Sequence, residues 1–203
     1  MQPKIIAALG DSITQGYIDE TGAGWFGRLA ARISKNKIYG FHNISAGGDR
    51  ICDAWHRFAS QCMTMDIDVL IIAIGCNDTR RRGAPNAQLD LSPMLCAKYW
   101  EWLLDEAQKN IGAVIVLDIL PIREETNEED GGDDYHYNTD IKRYNKQIAK
   151  LCGDRGIVFV QRYDKWEGLD LSQYYVDFGH PNGKGHQKIA DEIYEALAKL
   201  DVL

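Results

Sequence analysis

Short apolar segments alternate with longer amphipathic segments along the chain, and this alternation restricts the fold more than any other feature. We predict strands over the apolar segments, at residues 4–9, 38–44, 68–74, 113–120 and 157–161. The third and fourth of these segments are apolar almost throughout, which is typical of parallel strands covered on both faces. A central parallel sheet is therefore expected.

The segments between the predicted strands have the spacing of amphipathic helices. We predict helices near residues 25–34, 51–63, 93–110 and 140–154, and a last helix over residues 183–200. Strands that alternate with helices indicate βαβ units with right-handed crossovers, and hence a three-layer α/β/α sandwich. The length of 203 residues suits a single domain over residues 1–203.

Charge and hydropathy exclude two classes of partner. The formal net charge is −7, so the average electrostatic field repels nucleic acid and anionic membranes. No segment approaches the roughly 20 apolar residues that a membrane-spanning helix needs. We therefore expect neither a nucleic-acid partner nor a membrane span.

The cysteines and the N-terminus bear on the cellular compartment. Five cysteines are scattered along the chain without a C-x-x-C pair, which argues against a zinc site and against a disulfide framework. The first residues run directly into a predicted strand, without the basic and apolar stretches of a signal peptide. We therefore expect reduced thiols in a cytoplasmic protein that holds no metal.

One serine follows the first predicted strand at the point where a helix begins. Ser12 lies in the run LGDSIT at residues 9–14. Ligands of parallel α/β sheets bind outside the carboxyl ends of the strands, so this hydroxyl stands where a substrate would bind. Serine is also a favoured N-cap, but Asp11 would serve as well, and we favour Ser12 as a nucleophile.

A serine nucleophile needs a base, and the far end of the chain offers one. Asp177 and His180 lie three residues apart in the run DFGHPN at residues 177–182. An imidazole takes the proton of the hydroxyl, and a carboxylate on its other nitrogen holds the ring in one tautomer. Asp177 could instead cap the last helix, whereas Pro181 keeps His180 out of helical geometry.

Acyl transfer also needs hydrogen-bond donors for the oxyanion of the tetrahedral intermediate. The backbone N–H of Ser12 is one candidate donor. A second is the backbone N–H of a glycine after the second strand, where Gly47 and Gly48 allow close approach of substrate. The third is the side-chain amide of Asn77, which follows the third strand.

These motifs, in this order, resemble the four sequence blocks of the SGNH hydrolases, also called the GDSL esterase/lipase family. The matching runs are GDS at residues 10–12, GGD at 47–49, GCND at 75–78 and DFGHPN at 177–182. Two positions depart from the family pattern. Ile13 stands where leucine is usual, and Arg50 stands where a small residue is common and would narrow the pocket.

The resemblance implies roles for five residues. Ser12 is the expected nucleophile, with Asp177 and His180 as the acid and base of the triad. The expected oxyanion donors are Ser12, Gly48 and Asn77, and Gly48 is chosen over its neighbour because the family usually has Gly-Asp at this place. The resemblance also implies a flavodoxin-like fold with a five-stranded parallel sheet, and no cofactor.

The expected activity is that of a serine esterase that hydrolyses short, acetyl-like O-esters of a small-molecule substrate through an acyl-enzyme on Ser12. Two alternatives remain open. The first is a lysophospholipase or an acyl thioesterase of the same family. The second belongs to another class of protein, a non-catalytic ligand-binding module on the same fold.

Two charged runs lie outside the motifs. The acidic run at residues 124–134 is interpreted as a solvated loop, and a calcium site there is disfavoured because the spacing does not match an EF-hand. The basic run at residues 80–82 is either a solvated surface, a partner of the acidic loop, or an attractor of anionic substrates. Trp25 and His136 are candidates for the wall and the entrance of the pocket.

Overall fold

The computed structural model describes residues 4–35, 39–124 and 133–200. Five parallel strands form a central sheet in the order β2-β1-β3-β5-β7, and two short strands, β4 and β6, form an antiparallel pair beside it. The strands are β1 (Lys4–Gly10), β2 (Tyr39–Asn43), β3 (Val69–Ala73), β4 (Arg81–Arg82), β5 (Ala113–Leu117), β6 (Asp134–Tyr135) and β7 (Val158–Val160).

Seven α-helices connect and cover the strands of the described chain. They are α1 (Ser12–Gln15), α2 (Gly24–Ile33), α3 (Ile51–Gln61), α4 (Pro93–Asn110), α5 (Asn138–Gly153), α6 (Tyr163–Glu167) and α7 (Gly183–Lys199). Single 3₁₀ turns lie at Asn77–Thr79 and Leu171–Gln173. No helix of the described residues is long and apolar enough to cross a bilayer.

Alternate residues of each central strand supply two separate cores. In β3, Leu70 and Ile72 face one core, while Val69 and Ile71 face the other. The first core is completed by buried side chains of α3, α4 and α5, and the second by side chains of α2, α6 and α7. The period of two along a strand thus produces the three-layer α/β/α sandwich, and that prediction is confirmed.

The predicted elements agree with the observed ones to within three residues at each end, and the helix at Pro93–Asn110 agrees at both ends. The predicted strand at 113–120 ends early, at Leu117. The next residue, Asp118, turns its carboxylate to the backbone N–H groups of Arg162 and Tyr163, each at 2.6 Å. The predicted start of the second strand, at Ile38, lies outside the described residues.

The strand order determines where a ligand can bind. The sheet grows from β1 in two directions, to β2 on one side and to β3 on the other. Crossovers on opposite faces open a crevice at such a switch point, beyond the carboxyl ends of the two strands. The loops that follow β1 and β3 carry Ser12 and Asn77, so two of the expected site residues meet at this crevice.

Candidate active site

The turn after β1 presents Ser12 at the first position of helix α1. Gly10 is required before it, because a Cβ at this position would lie 2.4 Å from the backbone oxygen of Ala73. Asp11 is the N-cap of α1, and its carboxylate accepts the N–H of Ile13 at 3.0 Å. The cap therefore belongs to Asp11, and the hydroxyl of Ser12 is left for other partners.

Asp11 is buried directly beneath this turn. Burial raises the pKa of its carboxyl to about 6, although hydrogen bonding from Ile13 and the nearby His180 oppose the rise. A carboxyl with such a pKa is half protonated near pH 6, so the charge next to Ser12 changes within an ordinary working range of pH.

Ser12, His180 and Asp177 form one chain of hydrogen-bond contacts. Oγ of Ser12 lies 2.8 Å from Nε2 of His180, across 168 residues of sequence. Nδ1 of the same ring lies 2.7 Å from Oδ2 of Asp177. Both ring nitrogens are thereby engaged, which is the geometry that lets an imidazole receive a hydroxyl proton at Nε2.

The second oxygen of Asp177 is held by the backbone of its own loop. Oδ1 accepts the N–H of Gly179 at 2.9 Å and the N–H of His180 at 2.7 Å. Partial burial works against ionisation, but the bonds from His180 and Gly179 hold the pKa of Asp177 below its ordinary value. The alternative role is excluded, because helix α7 is capped by Asn182.

The glycine loop after β2 lies beside the serine. A Cβ at Gly47 would come within 3.8 Å of the Cβ of Ser12 and within 3.1 Å of the side chain of Gln15. Gly48 has a positive φ of 80°, a backbone conformation that glycine adopts without strain, and the space around its α-carbon is open. An unobstructed backbone at this place allows a substrate to approach closely.

Asn77 connects the loop after β3 to this glycine loop. Its Nδ2 donates to the backbone oxygen of Asp49 at 3.0 Å. The amide nitrogen carries two hydrogens, so one remains for a second acceptor. All five expected residues therefore belong to four loops, those after β1, β2 and β3 and the one before α7, which are linked by contacts at the crevice between β1 and β3.

Two further residues hold these loops in place, and sequence reasoning missed both. Arg57 donates from Nε to Oδ2 of Asp49 at 2.6 Å and from Nη2 to the backbone oxygen of Gly10 at 3.3 Å. Asp78 is completely buried, and its carboxyl group accepts the N–H of Ile51 at 3.1 Å. Asp78 lies within the run GCND at residues 75–78, although no role was expected for it, whereas Arg57 has no sequence signal.

The basic run at residues 80–82 is engaged in ion pairs. Arg80 contacts Asp90 at 2.8 Å and Asp134 at 3.3 Å, Arg81 contacts Asp140 at 2.6 Å, and Arg82 contacts Asp90 at 3.0 Å. Arg80 thus reaches the last residue of the acidic run. These pairs neutralise the cluster and weaken the alternative in which it attracts an anionic substrate. Residues 125–132 of the acidic run lie outside the described residues.

The aromatic candidates take positions beside the site and beneath it. His136 is buried, and its ring stacks on Phe178 with the centroids 4.8 Å apart. Phe178 in turn meets the ring of His180 edge-on at 5.7 Å. Trp25 is buried and lines a cavity of about 40 Å³ together with Asp11 and Ile13, the two neighbours of Ser12. Arg50, which was expected to narrow the pocket, forms an ion pair with Asp53 at 2.9 Å.

Comparison with known families defines the class of this protein. The sequence model of the GDSL-like Lipase/Acylhydrolase family matches residues 8–188, a range that includes all the motifs named above. The chain belongs to this family. It is therefore a hydrolase that acts on esters.

The chain is also similar to individual proteins and solved structures. The chain is 26% identical to the uncharacterized protein YpmR of Bacillus subtilis (strain 168), over 96% of this chain and 82% of that protein. It is 28% identical to a multidomain esterase of Ruminococcus flavefaciens, over 86% of this chain but only 19% of that protein. The crystal structure of an acetyl xylan esterase, AlAXEase, superposes with a TM-score of 0.76 at 20% identity, covering 95% of this chain and 99% of the other.

Proposed function

We propose that this protein is a serine esterase that hydrolyses short, acetyl-like O-esters through an acyl-enzyme on Ser12. The observation that supports this most strongly is the 2.8 Å contact between Oγ of Ser12 and Nε2 of His180. A serine hydroxyl is too weakly acidic to attack an ester unaided, and a base at hydrogen-bond distance removes that obstacle.

In the acylation step, Nε2 of His180 takes the proton of Ser12 as Oγ attacks the carbonyl carbon of the ester. The carbonyl oxygen becomes an oxyanion, which accepts hydrogen bonds from the backbone N–H groups of Ser12 and Gly48 and from the amide of Asn77. The intermediate then collapses, the bond to the leaving oxygen breaks, and His180 gives its proton to the departing alcohol.

In the deacylation step, a water molecule takes the place of the alcohol. Nε2 of His180 removes one proton from the water, and the hydroxide attacks the acyl carbon of the ester on Ser12. The second intermediate releases a carboxylic acid, and the proton on His180 returns to Oγ of Ser12. Asp177 stays ionised throughout, because the bonds from His180 and Gly179 favour its charged form.

The preferred substrate is an ester with a short acyl group. Support comes from the acetyl xylan esterase with the same fold, whereas the multidomain esterase of Ruminococcus flavefaciens supports ester hydrolysis in general. We expect kcat/KM to fall steeply for 4-nitrophenyl esters longer than butyrate. Higher activity on a long-chain lysophospholipid or on an acyl thioester would favour the alternatives within the family.

The decisive experiment for catalysis replaces the nucleophile. Ser12→Ala is expected to lower kcat on 4-nitrophenyl acetate by at least about 10³-fold. Ser172→Ala, which removes a hydroxyl that contacts Asp170 on the surface, serves as the matched control and is expected to keep full activity. If Ser12→Ala cleaves the ester at the wild-type rate, the proposal is wrong.

A fluorophosphonate probe separates an enzyme from a non-catalytic binding module on the same fold. Only a serine whose proton can be removed reacts with such a probe. We expect stoichiometric labelling of the native protein and none of Ser12→Ala. Absence of labelling in the native protein would favour the binding module.

A further inference from the structure

The segment that follows α1 lies against the imidazole of His180. The ring centroids of Tyr17 and His180 are 5.1 Å apart, with 66° between the ring planes. Tyr17 is nevertheless 55% exposed, so much of its ring faces solvent. An aromatic surface of this size next to the proton-transferring residue is available to a substrate.

The neighbouring residue has an unusual backbone. Ile18 has a φ of +53°, and it is the one non-glycine residue with positive φ among those that the structure describes. Its side chain is 38% exposed. For a β-branched residue this conformation is strained. Such strain persists only where surrounding contacts hold the residue in place, and it is concentrated at functional sites.

Contacts on both sides of Ile18 hold its backbone in this conformation. Asp19 is buried, and its carboxylate accepts hydrogen bonds from Nη1 and Nη2 of Arg28, at 2.7 Å and 3.0 Å, and from the N–H of Gly24 at 2.9 Å. The α-carbon of Gly16, just before Tyr17, lies so close to Gly24 that a Cβ would meet it at 2.8 Å. Tyr17 and Ile18 are therefore held between two anchored positions.

The same segment is tied to the part of the chain that bears the histidine. Oε2 of Glu20 accepts the N–H of Gly183 at 3.0 Å, at the first turn of α7. A Cβ at Gly183 would lie 2.0 Å from the Glu20 side chain, so the two segments are in close contact. The position of Tyr17 and Ile18 relative to His180 is thus fixed from both sides.

The proposed reaction indicates which part of the substrate lies beside His180. The leaving oxygen takes its proton from Nε2 of His180, so the alcohol part of the ester lies next to the imidazole. This step rests on the proposed function. We propose that Tyr17 and Ile18 form the subsite for the leaving alcohol, and that this alcohol is a pyranose sugar.

A pyranose fits this surface better than a simple alkyl alcohol. One face of the sugar ring carries polarised C–H groups, and the negative face of an aromatic ring attracts positively polarised hydrogens. Ile18, the next residue, adds an exposed aliphatic side chain to this part of the surface. An ethyl group is too small to cover both side chains, so it gains little from either.

The test compares two acetate esters that differ only in the alcohol, a methyl pyranoside with one acetyl group and ethyl acetate. Tyr17→Ala is expected to lower kcat/KM for the pyranoside about tenfold, mainly through KM, and to leave ethyl acetate within about twofold. Tyr17→Phe keeps the ring and is expected to retain both activities. Ile18→Gly is expected to weaken the pyranoside selectively, by about threefold.

A matched control removes an exposed apolar side chain elsewhere. Met94→Ala, at a residue 73% exposed near the start of α4, is expected to alter neither substrate. An equal loss on both esters in Tyr17→Ala would mean that the ring only positions His180, and would overturn the proposal. So would an unchanged kcat/KM for the pyranoside in both Tyr17→Ala and Ile18→Gly.

The failure of this inference is distinguishable from the failure of the proposed function. If the native protein reacts with the fluorophosphonate and hydrolyses ethyl acetate but not the pyranoside, the sugar subsite is wrong and the esterase proposal stands. If it neither reacts with the probe nor hydrolyses either ester, both proposals are overturned. Selective loss on the pyranoside in Tyr17→Ala supports both.

Discussion

The side-chain carboxyl group of Asp78 accepts the backbone N–H of Ile51, with 3.1 Å from the nitrogen to Oδ1 and 3.2 Å to Oδ2. This bond joins the loop after β3 to the first residue of α3. Asn77 lies next to Asp78 and bonds to Asp49, two residues before Ile51. The two contacts together hold the candidate oxyanion donors Gly48 and Asn77 in one relative position.

The first prediction concerns the pH dependence of stability. Burial raises the pKa of Asp78 to about 8, whereas the unfolded chain has an ordinary value of about 4. The folded state keeps a proton that the unfolded state releases, so the contribution of Asp78 to stability is complete below about pH 4 and is lost as the pH rises through about 8. Asp78→Asn keeps an acceptor for Ile51 and removes this titration.

Urea unfolding of the two proteins between pH 4 and pH 8 measures the effect. The free energy of unfolding of Asp78→Asn relative to wild type should increase with pH, by up to about 1.4 kcal/mol per pH unit. A difference that stays constant over this range would show that Asp78 does not titrate there.

Arg57 is expected to matter for catalysis although it lies in a helix. It bonds to Asp49 and to the backbone oxygen of Gly10, so it ties the glycine loop to the serine loop. Arg57→Ala should lower kcat on 4-nitrophenyl acetate about 10- to 100-fold, because hydrogen bonds to charged groups contribute about 1.5–3 kcal/mol. Arg32→Ala, which breaks an ion pair with Asp191, is the control and should retain kcat. An unchanged kcat in Arg57→Ala would contradict this role.

Asp177 is expected to act through the orientation of His180. Asp177→Asn keeps the size of the side chain but removes the negative charge of the group that hydrogen-bonds to Nδ1 of the ring. We expect a loss in kcat of about 10²- to 10⁴-fold at pH 7, with little change in the urea midpoint. Asp154→Asn, at a surface ion pair with Lys150, serves for comparison. Equal kcat values for the two variants would refute the triad.

Gly10 is expected to tolerate no side chain. A Cβ there would lie 2.4 Å from both the backbone oxygen of Ala73 and Oγ1 of Thr14. Gly10→Ala should lower the free energy of unfolding by about 1–3 kcal/mol or prevent folding, because neither the strand nor the helix can move aside. Urea unfolding measures this loss, and Gly153→Ala, with open space around its α-carbon, should be nearly neutral in the same measurement. Similar stability of both variants would contradict the close packing.

The fold could be predicted because it follows from local patterns. Apolar runs such as Val69–Ala73 are long enough to identify a buried strand, and the alternation with helices then restricts the topology. Short elements escaped prediction. The pair β4 and β6 has two residues in each strand, joined between Arg81 and Tyr135, and helix α6 has five residues. Tertiary contacts, rather than a periodic sequence, hold such elements.

Some residues of the candidate site could likewise be predicted from the sequence, and others could not. Ser12, Gly48, Asn77, Asp177 and His180 lie in compact motifs, so the sequence can nominate them, and the catalytic roles assigned to them stay predictions. The supporting residues could not be found in this way. Arg57 bonds to two loops that meet only in the folded protein. Tyr17 contacts His180, which lies 163 residues further along the chain, so their proximity has no sequence signal.

If His180 activates Ser12, a reagent that reacts with activated serines modifies Ser12 and depends on the histidine to do so. The native protein is treated with a fluorophosphonate, digested, and the modified peptide is sequenced by mass spectrometry. We expect a single phosphonylated residue, Ser12, and almost no labelling in His180→Ala. Modification at another serine, or equal labelling of Ser12 without the histidine, would contradict it.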